Sequence, residues 1–187
     1  MKVYIKKKAF GSKVVFSDFS LTIKDGVTSM IMAPSGWGKT TLLRIMSLLD
    51  KDYEGEVEPK EERNIVLFQE NRLVEGISVL SNLLALGVEK ERCLETLTSL
   101  GLFDERDKKV SELSGGMKRR VALSRVLLLP AERYFLDEPF TGLDDECKKE
   151  TADYIAHRLK GKTVIVVSHN KEDGALLKAE NTIILGE

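Results

Sequence analysis

A chain of 187 residues, 42% hydrophobic and 32% charged, is long enough for one domain with a sizeable core. Its 29 basic and 30 acidic residues leave a net charge of −1, so no overall positive field exists to hold a nucleic-acid backbone, and nucleic acid is excluded as an expected partner. Cys93 and Cys147 lack metal-ligand spacing and read as free thiols of a reducing compartment, and no run approaches the ~18 apolar residues of a membrane span.

In chain order, Val3-Tyr4-Ile5 predicts a strand, and Lys6-Lys7-Lys8 reads as its solvated end. A second strand is expected over Phe19 to Ile23 and a third over Ser29 to Ala33, followed by a helix over Lys39 to Leu49. Ile65 to Phe68 is a strand, and helical spacing then marks Val79 to Leu86, Cys93 to Leu100 and Met117 to Leu129. Arg133 to Asp137, Thr163 to Val167 and Thr182 to Leu185 complete the strands, with a helix over Glu146 to Leu159. Several of these strands are too short and too evenly apolar for a half-exposed sheet, so both faces are expected to be buried. The alternation predicts an α/β fold with a mostly parallel sheet. Residues 71–125 hold helices without a strand, which predicts an α-helical subdomain within a single domain spanning 1–187.

The strand ending at Ala33, the loop Pro34-Ser35-Gly36-Trp37-Gly38 and the helix opening Lys39-Thr40-Thr41 form a strand–loop–helix unit. That context makes the Gly-Lys-Thr run a candidate phosphate loop. Gly36 and Gly38 let successive backbone amides turn toward phosphate oxygens, and the helix N-terminus adds partial positive charge. Lys39 can neutralise the β- and γ-phosphates, and the Thr40 hydroxyl can hold Mg²⁺. Ala33 stands where such loops usually begin with glycine. Alone, the motif also fits an ordinary glycine turn before a helix.

Further motifs follow in order. Leu113-Ser114-Gly115-Gly116-Met117 is a small-residue helix entry suited to a second phosphate contact, though a serine before glycines is equally a good helix cap. Tyr134 to Glu138 is an apolar run ending in two carboxylates, of which Asp137 suits a hard cation and Glu138 a water-polarising base. Pro139 to Asp144 comes next, Gln69 follows the strand Ile65 to Phe68, and His169 follows the strand ending at Val167.

This set resembles the ATP-binding cassette family over nearly the whole chain. The resemblance implies an α/β phosphate-loop NTPase core, an N-terminal antiparallel β region and an α-helical subdomain. It implies ATP and Mg²⁺ as cofactors, with residues 33–41 (Ala33, Pro34, Ser35, Gly36, Trp37, Gly38, Lys39, Thr40 and Thr41) around the phosphates. Ser114, Gly115, Gly116 and Met117 form the family's signature, with Met117 where glutamine is commonest. Thr40, Gln69 and Asp137 are the expected metal residues. Glu138, His169, Gln69 and Lys39 are the expected catalytic residues, His169 acting toward the γ-phosphate. Phe10, 23 residues before Ala33, sits where the family stacks an aromatic on adenine, with core packing as its rival role and Tyr4 as the alternative.

The resemblance further implies an ATP-driven head-to-tail homodimer, because only one cassette and no arginine finger are present. Transmembrane permease subunits would be partners, docking a helix beside Gln69 to Leu80, and the expected place is the cytoplasmic face of the cell membrane. Asp137-Glu138-Pro139-Phe140, Phe68 to Leu73 and the Gly-Gly-Met-Lys run look similar to importers of the nitrate, sulfonate and taurine branch, so an extracytoplasmic substrate-binding protein is a further expected partner. The alternative is a soluble ATPase of this type in iron–sulfur assembly or DNA repair. Only 29 residues separate Lys39 from Gln69, which predicts a trimmed antiparallel region, and the 18 residues after His169 leave no room for a regulatory domain within this sequence.

Overall fold

The computed structural model describes residues 1–59 and 63–186. Its strands are β1 (Lys2–Phe10), β2 (Lys13–Thr22), β3 (Thr28–Met32), β4 (Glu54–Glu58), β5 (Asn64–Leu67), β6 (Arg133–Asp137), β7 (Thr163–Val167) and β8 (Asn181–Ile184). The helices are α1 (Lys39–Met46), α2 (Val79–Leu84), α3 (Lys90–Ser99), α4 (Gly115–Leu128), α5 (Asp145–Arg158) and α6 (Lys171–Leu176). The strands form a five-stranded parallel sheet of order β5-β6-β7-β3-β8 and a three-stranded antiparallel sheet of order β2-β1-β4.

Alternation along the central strands builds the layers. In β6, Phe135 joins Ile31, Ile165, Val167, Leu42 and Ile45 in a core shared with α1 and the antiparallel sheet. Tyr134 and Leu136 point the other way, joining Val164, Val166, Ile155 and the helices α2–α4 in a second core. Every residue of β6 and β7 is buried, as evenly apolar runs require. The edge strand β8 instead alternates exposed and half-buried positions. Between β5 and β6 the described chain is helical, with two 3-10 turns at Phe103–Glu105 and Val110–Glu112.

One expectation needs correction, and two elements lie outside the expected set. β1 runs on to Phe10, and Lys8 is no solvated strand end: it is 2% exposed. Its ammonium lies 3.0 Å from Asp50, also reaches Asp52, and sits 4.7 Å over the Phe10 ring. β4 has no counterpart in the sequence reading, because Glu-Gly-Glu-Val-Glu offers only Val57 to the core. α6 also escaped prediction. It has only six residues and carries Gly174 mid-helix, where an added Cβ would lie 2.5 Å from Met30 Sδ.

Candidate nucleotide site

The parallel sheet delivers its chemistry at one end. β3 leads into the phosphate loop, β5 into Gln69, β6 into Asp137 and Glu138, and β7 into Ser168 and His169. The carboxyl ends of parallel strands are where open α/β sheets bind ligands. A cleft of about 520 Å³ there is lined by Ser35, Gly36, Gly38, Lys39, Thr40, Thr41, Gln69, Asp137, Glu138, Thr141 and His169.

Backbone conformation makes the loop. Gly36 and Gly38 have φ of 77° and 107°, a region that side-chain-bearing residues rarely adopt, and Gly38 caps α1. Space is as restrictive as φ at Gly38, where a Cβ would lie 2.7 Å from Val15 Cγ1 and 3.1 Å from the Phe16 ring. Trp37 packs edge-on against Phe16 and Phe19, with centroids 5.3 and 5.7 Å away, so β2 buttresses the loop. Lys39 Nζ donates to the carbonyls of Ala33 and Pro34 at 2.7 and 3.0 Å. Thr40 Oγ1 donates to Asp137 Oδ2 at 3.1 Å.

Asp137 is buried, and burial raises its carboxyl above the ordinary carboxylate range. Glu138 pushes the same way, while the Thr40 hydrogen bond, Arg119 and Lys39 only partly oppose it. Glu138 sits at φ 49°, a left-handed conformation uncommon for a side-chain-bearing residue and found where a site holds its backbone in place. Its carboxylate lies 2.9 Å from His169 Nδ1 and 3.2 Å from Ser168 Oγ. His169 is otherwise open, its side chain 78% exposed.

Ser114 to Met117 do not line this cleft. They open α4, where Ser114 Oγ accepts from the Met117 amide as a helix cap. Phe10 does not line it either. It stands at the β1–β2 turn, 55% exposed, so core packing is not its role here. Tyr4 is 41% exposed and donates to Asp18 at 3.3 Å.

A family model described as ABC transporter matches residues 16–141. The chain belongs to the ABC transporter family. The cassette is 34% identical to the aliphatic sulfonates import ATP-binding protein SsuB of Bacillus licheniformis, over 95% of this chain and 76% of that one. It is 31% identical to the spermidine/putrescine import ATP-binding protein PotA of Haemophilus influenzae, over 96% of this chain and 53% of that one. Among solved structures, a dimeric bacterial ABC transporter cassette superposes with a TM-score of 0.84 at 27% identity, covering 99% of this chain and 94% of that one. A dimeric post-hydrolysis cassette bound to ADP and Pi gives 0.83 at 25% identity, with the same coverage. The cassette is an ATP-binding ATPase, with relatives in the sulfonate branch it resembles.

The cassette also holds a network that the motifs did not announce. Ser168 Oγ lies 2.6 Å from Asp173 Oδ2, and Asp173 Oδ1 lies 2.6 Å from Lys148 Nζ of α5. A hydroxyl has one proton, so Ser168 donates to Asp173 or to Glu138 but not to both. Asp173 lies in α6, the short helix that periodicity did not mark, so no motif pointed to it. Arg119 had no signal either, being one of several basic residues in a run.

Proposed function

We infer that residues 1–187 work as a single cassette domain that couples ATP hydrolysis to transport through separate membrane subunits. The observation that carries this reading is the convergence of Lys39, Thr40, Gln69, Asp137, Glu138 and His169 on one cleft from four strands distant in sequence. Phosphoryl transfer to water needs positioning and neutralisation, and these are the groups for it. Lys39 would leave its loop carbonyls for the triphosphate, and the loop amides would take the remaining phosphate oxygens. Glu138 would orient and deprotonate the attacking water, with His169 turned toward the γ-phosphate. Phe10, its ring held under the Lys8 ammonium, is open to stack on adenine.

The residues present fit Mg²⁺. Thr40 Oγ1 and Asp137 Oδ2 are hard oxygen donors 3.1 Å apart, with Gln69 on the same cleft wall. When bound, Mg²⁺ would neutralise charge building on the β- and γ-phosphate oxygens. Burial disfavours the ionised Asp137 carboxylate, and a cation held there would favour it.

The signature residues Ser114 to Met117 lie outside the cleft of their own chain, which favours their covering the nucleotide of a second copy, head to tail. Dimeric solved relatives support that arrangement. A groove lined by Leu49, Leu67, Phe68, Leu86, Val126 and Leu129 lies beside residues 70–72 and suits a permease helix. Ala122, Arg125 and Val126 of α4 form another of its walls. Relatives named as import proteins support import, with a substrate-binding protein reached through the permease. No helix among the described residues is long and apolar enough to cross a membrane, which fits a peripheral place on the inner membrane face.

The test is Glu138→Gln. Turnover should vanish while ATP drives the chain into a dimer by size exclusion, and affinity capture from source membranes should recover a polytopic protein. Parent-rate hydrolysis would remove Glu138 from its role, and recovery of soluble assembly factors would favour a non-transport function.

A further inference from the structure

We propose that Arg119 is a positioning residue that ties the signature helix α4 to both loops carrying the water-handling groups. Arg119 is 2% exposed, and its guanidinium divides its donors between two segments. Nη1 donates to the carbonyls of Phe68 and Gln69 at 2.6 and 3.2 Å and to Asn71 Oδ1 at 3.1 Å. Nη2 donates to the carbonyl of Glu138 at 2.9 Å and to that of Asp137. One rigid fork therefore fixes the main chain at Gln69 and at Asp137–Glu138 together.

Residue type matters here. Lysine offers one nitrogen, and glutamine one short amide, so neither spans both rows of acceptors. Burial lowers the Arg119 pKa to about 10, with Asp137 and Glu138 pulling it back up, so the group stays cationic at neutral pH. Its charge sits behind the two carboxylates rather than in the cleft, since Arg119 is not among the cleft residues.

The same helix touches the catalytic loop at a second point. Gly116 packs so closely on Gly142 that a Cβ there would lie 2.5 Å from the Gly142 carbonyl. Lys118 meets Glu75 at 2.9 Å and Arg125 the Arg72 carbonyl at 2.7 Å, but these reach only the segment after Gln69. Arg119 alone of these three bonds both segments. On the reading that Ser114 to Met117 close on the nucleotide of a second copy, any shift of α4 during closure moves Gln69 and Glu138 as a unit. ATP arriving at one cleft would thereby set the water-handling geometry of the opposite one.

The experiment compares the full chain with Arg119→Met, Arg119→Gln and Arg119→Lys. It measures kcat and KM for ATP hydrolysis, calorimetric affinity for a non-hydrolysable ATP analogue, and thermal midpoints. A displacement of about 1 Å at reacting groups costs about 100-fold in rate, so Arg119→Met should lose about that in kcat. Analogue affinity should stay within about twofold, because Lys39 and its loop are untouched. Arg119→Lys should recover part of the loss. Adding Gln69→Ala to Arg119→Met should cost less than the two single losses combined. If the methionine variant does not fold, Arg119→Gln carries the same comparison, since its amide still satisfies one row of carbonyls. A folded variant with parent kcat overturns the inference alone, as does a loss of kcat that only follows analogue affinity. A parent chain without turnover overturns the functional reading together with it.

Discussion

Gly115 and Gly116 are adjacent, both helical, and expected to respond in opposite directions to alanine. Neither has a positive φ, so backbone conformation does not forbid a Cβ at either position. At Gly115 a Cβ meets nothing within 4 Å, whereas at Gly116 it would lie 2.5 Å from the Gly142 carbonyl oxygen. Comfortable carbon–oxygen approaches are about 3.3–3.6 Å, so the main chain at Gly142 must yield by roughly 0.8–1 Å. Overpacking of that kind costs about 1–3 kcal/mol. Alanine in a helix returns up to about 1 kcal/mol. The net expectation for Gly116→Ala is a loss of up to about 2 kcal/mol, or at most roughly 8 °C in the thermal midpoint for a chain of this size. Gly115→Ala, at the first helical position, should gain about 0.5 kcal/mol, or roughly 1–2 °C. Calorimetric melts of the nucleotide-free chain separate this from any effect on ATP. Equal shifts of the same sign in both variants would refute the packing of α4 on the loop after Glu138.

Asp137→Asn should stabilise the nucleotide-free fold at pH 8, and less so as the pH falls toward the ordinary carboxylate range. The folded state binds the Asp137 proton more tightly than the unfolded chain does, so ionised Asp137 costs stability above its raised pKa, and acid relieves that cost. An advantage that grew on acidification would reverse the sign of the argument. Phe10→Ala should raise the KM for ATP roughly tenfold with kcat unchanged, from about 1–2 kcal/mol of lost stacking. Its melting point should hold, because the ring is largely exposed. An unmoved KM would take adenine away from Phe10. Cys93 should resist thiol reagents in the native chain, since burial raises its pKa as well as hiding it, and rapid native labelling would contradict its placement in the helical core.

The sequence was most legible where one requirement dominates. β6 and β7 are buried on both faces, so their apolar runs mark their ends to the residue. The phosphate loop was equally plain, because glycine is needed twice at short spacing. Legibility fell where a residue answers to tertiary neighbours. Lys8 looks solvated until Asp50 and Asp52 arrive from the far side of α1. β4 is an edge strand with one inward apolar residue, and hydrogen bonding to β1 rather than patterning makes it a strand. Arg119 looks like a surface base, since the carbonyls it binds lie about 20 and 50 residues away along the chain, with no trace in local pattern. Motif residues reveal which atoms face a substrate, whereas the groups holding those atoms still emerge only from the packing.

The account stands on triphosphate binding at the loop around Lys39. The chain's one tryptophan, Trp37, lies in that loop, between Gly36 and Gly38. Titrating a non-hydrolysable ATP analogue with Mg²⁺ into folded protein, followed by heat and by Trp37 emission, should give one saturable isotherm in the parent and none in Lys39→Ala. A folded parent chain that takes up no nucleotide, or a Lys39→Ala variant that binds as the parent does, would contradict it.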